Sequence, residues 1–100
     1  MISGTTPTHV FKLPFDSAQL SAARVVYKQG SKEIIRKETK DFTMEGNIIK
    51  VNLTQEDTFL FDCKTSVKYQ LRVRTVMGRV LATKVKIISV EECLDREVLL

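Results

Sequence analysis

The sequence predicts an all-β fold, an antiparallel β-sandwich of about seven strands with one short helical turn. The main observation is that apolar and polar residues alternate almost without interruption over residues 66–75. Because successive side chains of a strand point to opposite faces, this strand has one dry and one wet face, as in an antiparallel sheet packed on a core. A second observation is that turn-forming residues recur about every ten residues, which is typical of a sandwich.

The other predicted strands are bounded by turn-forming residues. Pro7 and Pro14 frame the first strand, and Gly30-Ser31 and Glu45-Gly46 each close a hairpin. Met77-Gly78-Arg79 turns the long alternating strand back into the last one. Strands are predicted at residues 8–13, 23–29, 32–38, 42–44, 47–53, 66–75 and 80–90, with a connection at 15–22.

A capping pattern predicts the helical turn. Thr54 and Asp57 have the spacing of a capping box, so a short helix is expected after Thr54. Phe59, with Leu60 or Phe61, is expected to close the end of the core. The strand faces predicted to be buried carry Ala23, Val25 and Tyr27; Ile49, Val51 and Leu53; and Val67, Tyr69, Leu71 and Val73. In the last strand, Leu81, Thr83, Val85 and Ile87 share one face, and Ala82, Lys84, Lys86 and Ile88 share the other.

The composition is that of one small domain. The chain has 100 residues, of which 43% are apolar and 28% charged, which suits a single core. It has no apolar run of the roughly 18 residues that a membrane span needs, and no basic segment followed by an apolar one near residue 1. A cytoplasmic protein without a membrane segment is therefore expected. Cys63 and Cys93 have no metal-binding spacing and are expected to be reduced and partly buried, with a disulfide between them as the alternative.

The charge is divided unevenly along the chain. Residues 1–90, the predicted sandwich domain, hold 15 Lys and Arg against 8 Asp and Glu. Residues 91–100 hold only Arg96 against four carboxylates and form a predicted acidic C-terminal arm. An acidic arm beside a basic body can pair with a neighbouring copy, and the alternative is that both are solvated. The apolar residues at 98–100 suit a contact with another subunit.

The residues show no catalytic arrangement. His9 is the only histidine, and it is expected to be an exposed or half-buried strand residue without a nucleophile beside it. Gly30, Gly46 and Gly78 occupy predicted turns, so they form no phosphate-binding loop. One histidine and two distant cysteines are a poor basis for a zinc site. We therefore expect no enzyme activity, no metal and no cofactor.

The wet face of the long strand is cationic. Lys68, Arg72 and Arg74 are expected to align with Lys84 and Lys86 of the last strand, which forms a basic surface. Such a surface either stays solvated, binds an acidic protein or binds nucleic acid phosphates. Nucleic acid is the weaker reading because Tyr69 alternates onto the apolar face, away from the cations. The candidate interaction surface comprises Lys68, Arg72, Arg74, Lys84, Lys86, Glu91, Glu92, Asp95, Glu97 and Leu99.

Four segments together resemble a known group of proteins. Residues 2–16, 46–49, 53–63 and 93–99 resemble small proteins encoded in prophages and mobile elements of gut Clostridia and related Firmicutes. More distantly, the opening at 4–11 and the Leu-Thr-Gln-Glu-Asp-Thr segment at 53–58 are similar to the N-terminal β-sandwich module of phage baseplate upper proteins. This resemblance implies an immunoglobulin-like fold and a place in a virion or its assembly, in the tail or baseplate.

These observations lead to one expected function and one alternative. The expected function is a non-enzymatic structural or assembly component of a prophage tail or baseplate. It would act through contacts with phage structural proteins or with copies of itself in a homo-oligomer. The alternative is a nucleic-acid-binding module that uses the basic strand face.

Overall fold

A computed structural model describes all 100 residues as two antiparallel sheets packed on each other. The single α-helix, α1 (Gln55–Phe59), is only five residues long, so no helix here is long enough to cross a bilayer. Short 3-10 turns lie at Ser17–Gln19 and Thr39–Asp41. The elements are β1 (Thr8–Lys12), β2 (Leu20–Gln29), β3 (Lys32–Glu38), β4 (Phe42–Glu45), β5 (Ile48–Asn52), α1 (Gln55–Phe59), β6 (Val67–Thr75), β7 (Val80–Ala82) and β8 (Lys86–Ile88).

The strand order is that of an immunoglobulin-like sandwich. One sheet has the order β1-β5-β4, and the other has β3-β2-β6, with both β7 and β8 paired to the far side of β6. In immunoglobulin lettering, the first sheet supplies strands B, E and D, and the second supplies C′, C, F and G. The predicted fold class is therefore confirmed, with eight strands because the last predicted strand is divided in two.

The core lies between the two sheets and follows the predicted alternation. Ala23, Val25 and Tyr27 of β2 lie opposite Val73, Leu71 and Tyr69 of β6, so their side chains share the inner face. Phe61 fills the end of the core, whereas Leu60 is exposed and Phe59 is half-buried. The buried apolar side chains are Phe11, Leu13, Ala23, Val25, Tyr27, Ile35, Ile49, Val51, Leu53, Phe61, Val67, Leu71, Val73 and Val90.

The predicted capping box is present at the start of α1. The Asp57 backbone N–H donates to the Thr54 hydroxyl at 3.1 Å, and the Thr54 N–H donates to the Asp57 carboxylate at 2.9 Å. The same carboxylate lies 2.8 Å from Nζ of Lys37, which joins the helix to β3. Burial raises the pKa of Asp57, but the bonds from Lys37 and Thr54 outweigh it and hold the pKa below its usual value.

The last predicted strand differs from the structure. Ala82 lies opposite Arg72 and Lys86 lies opposite Tyr69. The edge segment therefore advances by four residues where β6 advances by three. The extra residue is a bulge, stabilised where the Leu71 N–H donates to the Thr83 hydroxyl at 3.2 Å. Beyond the bulge the faces are exchanged, because strand side chains have a period of two. Ile87 is therefore 66% exposed while Ile88 turns inward, the reverse of the predicted phase.

Two smaller boundaries also differ. β2 begins at Leu20, so the predicted connection at 15–22 is shorter and contains one 3-10 turn. The second hairpin turns at Gly46-Asn47 rather than one residue earlier. Gly46 has φ of 56°, which glycine adopts without steric cost, so the position of the turn follows the glycine.

Candidate interaction surface

The outer face of the larger sheet is a basic surface on its two central strands. Arg24 lies opposite Arg72, and Lys28 lies opposite Lys68, one pair on each side of Val26 and Gln70. Arg74 extends the row along β6, and Arg36 stands beside Val26 on β3. We call this set the cationic face: Arg24, Lys28, Arg36, Lys68, Arg72 and Arg74.

Only part of this charge is neutralised within the chain. Arg24 pairs with Glu38 and Arg36 pairs with Glu33, each at 3.0 Å. The one other ion pair of the structure joins Lys37 to Asp57 on the opposite side of the sheet. The remaining cations of the face have no carboxylate within 4 Å: Lys28, Lys68, Arg72 and Arg74. Like charges directly opposite each other on neighbouring strands destabilise a sheet, so this arrangement costs folding free energy.

A groove of about 420 Å³ runs across the cationic face. Arg24 and Arg72 flank it on one side and Lys28 and Lys68 on the other. Val26 and Gln70 lie between these pairs, and the Gln70 side chain donates to the Thr83 carbonyl at 2.8 Å. The groove therefore has a neutral centre and margins with five cations against one carboxylate, Glu33, which suits a chain of negative charges more than an apolar ligand.

The structure brings together three of the five predicted cations. Lys68, Arg72 and Arg74 share the outer face, as the alternation predicts. Lys84 lies exposed in the bulge, outside the strands. Lys86 lies opposite Tyr69, on the other side of the sheet, and its Nζ sits 4.9 Å from the Phe11 ring centroid. The predicted alignment of Lys86 with the other cations is wrong, because the bulge reverses the phase of the strand.

Sequence reasoning missed the cations of the neighbouring strands. Arg24 and Lys28 alternate with the buried Ala23, Val25 and Tyr27, so the period of β2 already places them outward. The pairing of β2 with β6 was not predictable from that period. Without knowledge of the β2–β6 pairing, there was no reason to place Arg24 beside Arg72 or Lys28 beside Lys68.

The acidic arm folds back on the end of the sandwich that carries α1. Glu91 pairs through its backbone with Met1 and Ser3. Arg96 donates to the Ser3 hydroxyl at 3.0 Å and lies over the Phe59 ring, 4.9 Å from its centroid. The Gln55 side chain then holds the backbone of Leu99, accepting from its N–H at 2.7 Å and donating to its carbonyl at 2.8 Å.

This arm presents its carboxylates and leucines to solvent. Its four acidic side chains are exposed, and none of them forms an ion pair with the body: Glu91, Glu92, Asp95 and Glu97. Leu94 is 96% exposed and Leu99 is 76% exposed. The arm is therefore fixed in place by its backbone and by Arg96 while the predicted contact residues stay free.

His9 is buried rather than exposed or half-buried. Its Nδ1 lies 2.7 Å from the Tyr27 hydroxyl, and its ring stacks on Tyr69 with centroids 4.8 Å apart. The other ring nitrogen, Nε2, is buried without a hydrogen-bond partner. Burial is the main reason that the pKa of His9 is lowered, and the positive charges of Lys86 and the Met1 amine lower the pKa further.

The remaining sequence candidates lie apart from one another. Cys63 and Cys93 are half-buried free thiols. No group of three or more His, Cys, Asp or Glu side chains is close enough to hold a metal ion. Comparisons with protein-family models, with curated protein sequences and with solved structures found no match.

Proposed function

We propose that this protein is a non-enzymatic interaction module of a multi-copy assembly, and that its cationic face binds an acidic protein surface. The setting that the sequence resemblance implies is a prophage tail or baseplate. The observation that carries the proposal is the set of cations on the outer face without a carboxylate partner, Lys28, Lys68, Arg72 and Arg74.

The position of these cations argues against a purely protective role. Lysines guard sheets from aggregation when they lie on edge strands. Lys28, Lys68 and Arg72 lie on β2 and β6, which are paired on both sides. A protective role therefore does not account for charges that oppose one another across the centre of the sheet. An acidic partner would relieve that repulsion and gain attraction at once.

The arm of a second copy has the required charge. Its four carboxylates are exposed and unpaired, and the arm is anchored at the end of the sandwich that holds α1. The partner we assign to the cationic face is therefore the acidic arm of another copy. Duplex DNA is the competing occupant. A single strand is disfavoured because the face offers no aromatic ring on which unpaired bases could stack, since Tyr69 stacks on His9 and Tyr27 at the inner side.

The test is the mass of the protein in solution as a function of salt. We expect the natural chain to self-associate at low ionic strength and to dissociate as salt shortens the screening length. Arg72→Glu should abolish association. Lys50→Glu, which reverses an exposed cation on β5 of the other sheet, should leave it unchanged. A natural chain that stays monomeric at low salt, or a variant Arg72→Glu that still associates, contradicts the proposal.

The same variants separate protein from nucleic acid as the partner. Binding of a DNA duplex at low salt should be weak and equal for Arg72→Glu and Lys50→Glu, which have the same net charge. Tight duplex binding that is lost in Arg72→Glu and weakens steeply with salt would instead favour the nucleic-acid function.

A further inference from the structure

An apolar groove opens between the two sheets beside β7. It has a volume of about 240 Å³ and lies between the end of β1 and β7, which are edge strands of their sheets. Leu13, Phe15 and Leu81 line it, above the buried side chains of Leu71 and Val73. The strand β7 has only three residues, so the half-buried side chains of Phe15 and Leu81 form the surface of the core on this side.

The turn that follows β6 enlarges this apolar surface. A second depression of about 340 Å³ shares Phe15 and Leu81 with the first and adds Val76 and Met77. Met77 is 86% exposed and Val76 is 65% exposed, so both continue the apolar surface that Phe15 and Leu81 begin. We call the two depressions together the end groove.

The displayed leucines and the end groove lie at opposite ends of the molecule. The arm is held at α1, next to residues 3–5, which precede β1. The end groove lies where β1 ends and where β6 turns into β7. The nine residues of β6 span about 27 Å at the rise of a strand. An arm clasped by Gln55 is therefore too far away to fill the groove of its own chain.

The charges around both surfaces are complementary. Lys12 and Arg79 stand at the rim of the end groove, exposed and without an ion pair. In the arm, Asp95 and Glu97 flank Arg96 just before the apolar residues 98–100. Docking the apolar residues in the groove would bring these carboxylates to the two cations.

We propose that residues 98–100 of one copy dock in the end groove of the next copy, with Asp95 and Glu97 against Lys12 and Arg79. The inference rests on the proposed self-association and names where it occurs. Arg74 lies opposite Val80 on the outer face of β7, and Leu81 points to the inner side. One arm can therefore cross this edge with its leucines in the groove, with Asp95 and Glu97 at the rim, and with the remaining carboxylates of the arm toward Arg74 of the cationic face. Such a head-to-tail contact generates rings or filaments.

The experiment uses two variants that each destroy one side of the contact. Met77→Glu places a negative charge at the end groove, and Leu99→Glu places one on the displayed arm; both side chains are largely exposed, so folding should be kept. We expect either variant alone to be monomeric under conditions where the natural chain associates. Mixed together they should form a one-to-one dimer, because one variant keeps its arm and the other keeps its groove. Val10→Glu, exposed on β1 away from both surfaces, is the control and should associate like the natural chain.

The outcomes distinguish this inference from the proposed function. If Arg72→Glu abolishes association but Met77→Glu and Leu99→Glu do not, the cationic face is the contact and the end groove is not. A labelled peptide of residues 91–100 provides a second readout through fluorescence anisotropy. It should bind the natural chain saturably and bind Met77→Glu at least tenfold more weakly. Equal binding to both proteins overturns the inference, even when the natural chain is monomeric.

Discussion

The imidazole Nδ1 of His9 lies 2.7 Å from the hydroxyl of Tyr27, and the imidazole ring stacks on Tyr69. Tyr27 and Tyr69 are opposite each other on neighbouring strands of the larger sheet. These three rings join the two sheets, because His9 belongs to β1 and the tyrosines to β2 and β6. The ring contacts of Tyr27 continue to Phe61 at the end of the core. The histidine is thus part of the packing between the sheets and not of a surface site.

The burial of His9 predicts that stability falls in mild acid. The pKa of the unfolded chain is near 6.5 and that of the folded protein is lower, so the unfolded state takes up the proton first. The contribution of the neutral His9 ring to the free energy of unfolding is fully present above pH 6.5. As the pH falls below that value, the free energy of unfolding decreases by at most about 1.4 kcal/mol per pH unit. Urea unfolding at pH 7.5, 6.5 and 5.5 measures this loss.

A variant isolates the contribution of this ring. His9→Phe keeps an aromatic side chain but takes up no proton, so its stability should change little over the same pH range. If the variant loses stability as steeply as the natural chain, another group is responsible for the pH dependence.

The two faces of β6 should respond differently to truncation. Leu71 is fully buried, so Leu71→Ala should lower the free energy of unfolding by about 2–5 kcal/mol. Arg72 is exposed opposite Arg24, so Arg72→Ala should change it by less than about 0.5 kcal/mol. This small change in the free energy of unfolding should be stabilising, because Arg72→Ala removes one of two like charges that face each other. Chemical denaturation of both variants is the measurement, and a larger loss for Arg72→Ala would mean that the strand faces the other way.

Gly4 should be far less tolerant of a side chain than Gly30. Both have positive φ, 79° and 61°, so both substitutions carry the backbone cost of alanine in that conformation. At Gly4 a Cβ would lie 2.5 Å from Cζ of Phe59, whereas at Gly30 it would meet nothing within 4 Å. Gly4→Ala should therefore cost roughly 1–3 kcal/mol more than Gly30→Ala.

Amide hydrogen exchange of Leu99 provides a structural measurement for the comparison of Gly4→Ala with Gly30→Ala. Displacement of the Phe59 ring would remove the surface on which Arg96 rests, and the arm should loosen. Faster exchange at Leu99 is expected in Gly4→Ala and not in Gly30→Ala. Equal stability and exchange in the two variants would contradict the assigned contact.

Local patterns predicted much of this fold. The alternation of Ala23, Val25 and Tyr27 and of Ile49, Val51 and Leu53 gave the buried faces, because a period of two depends on neighbouring residues alone. The capping box at Thr54 and Asp57 was likewise predicted, since its two bonds lie within one turn of chain.

The errors came from contacts between distant segments. The bulge at Thr83 depends on a hydrogen bond from Leu71, and it reverses the face on which Lys86 lies. His9 is buried because Tyr27 and Tyr69 of the other sheet pack on it. Neither partner is recognisable from the residues beside Thr83 or His9. The alternation within β6 was enough to place Lys68, Arg72 and Arg74 on one face. The cations of β2 were missed because their neighbours lie on β6, a distant segment.

Gln55 anchors the arm through backbone atoms, so the side chain at position 99 takes no part in the anchoring. Both of its hydrogen bonds end on backbone atoms of residue 99, so they are available whatever side chain that residue carries, proline excepted. Substitutions at this position can then change what the arm contacts without releasing it from the body. In the proposed assembly, a few outward side chains of the arm can therefore change the contact while the sandwich that carries them stays the same.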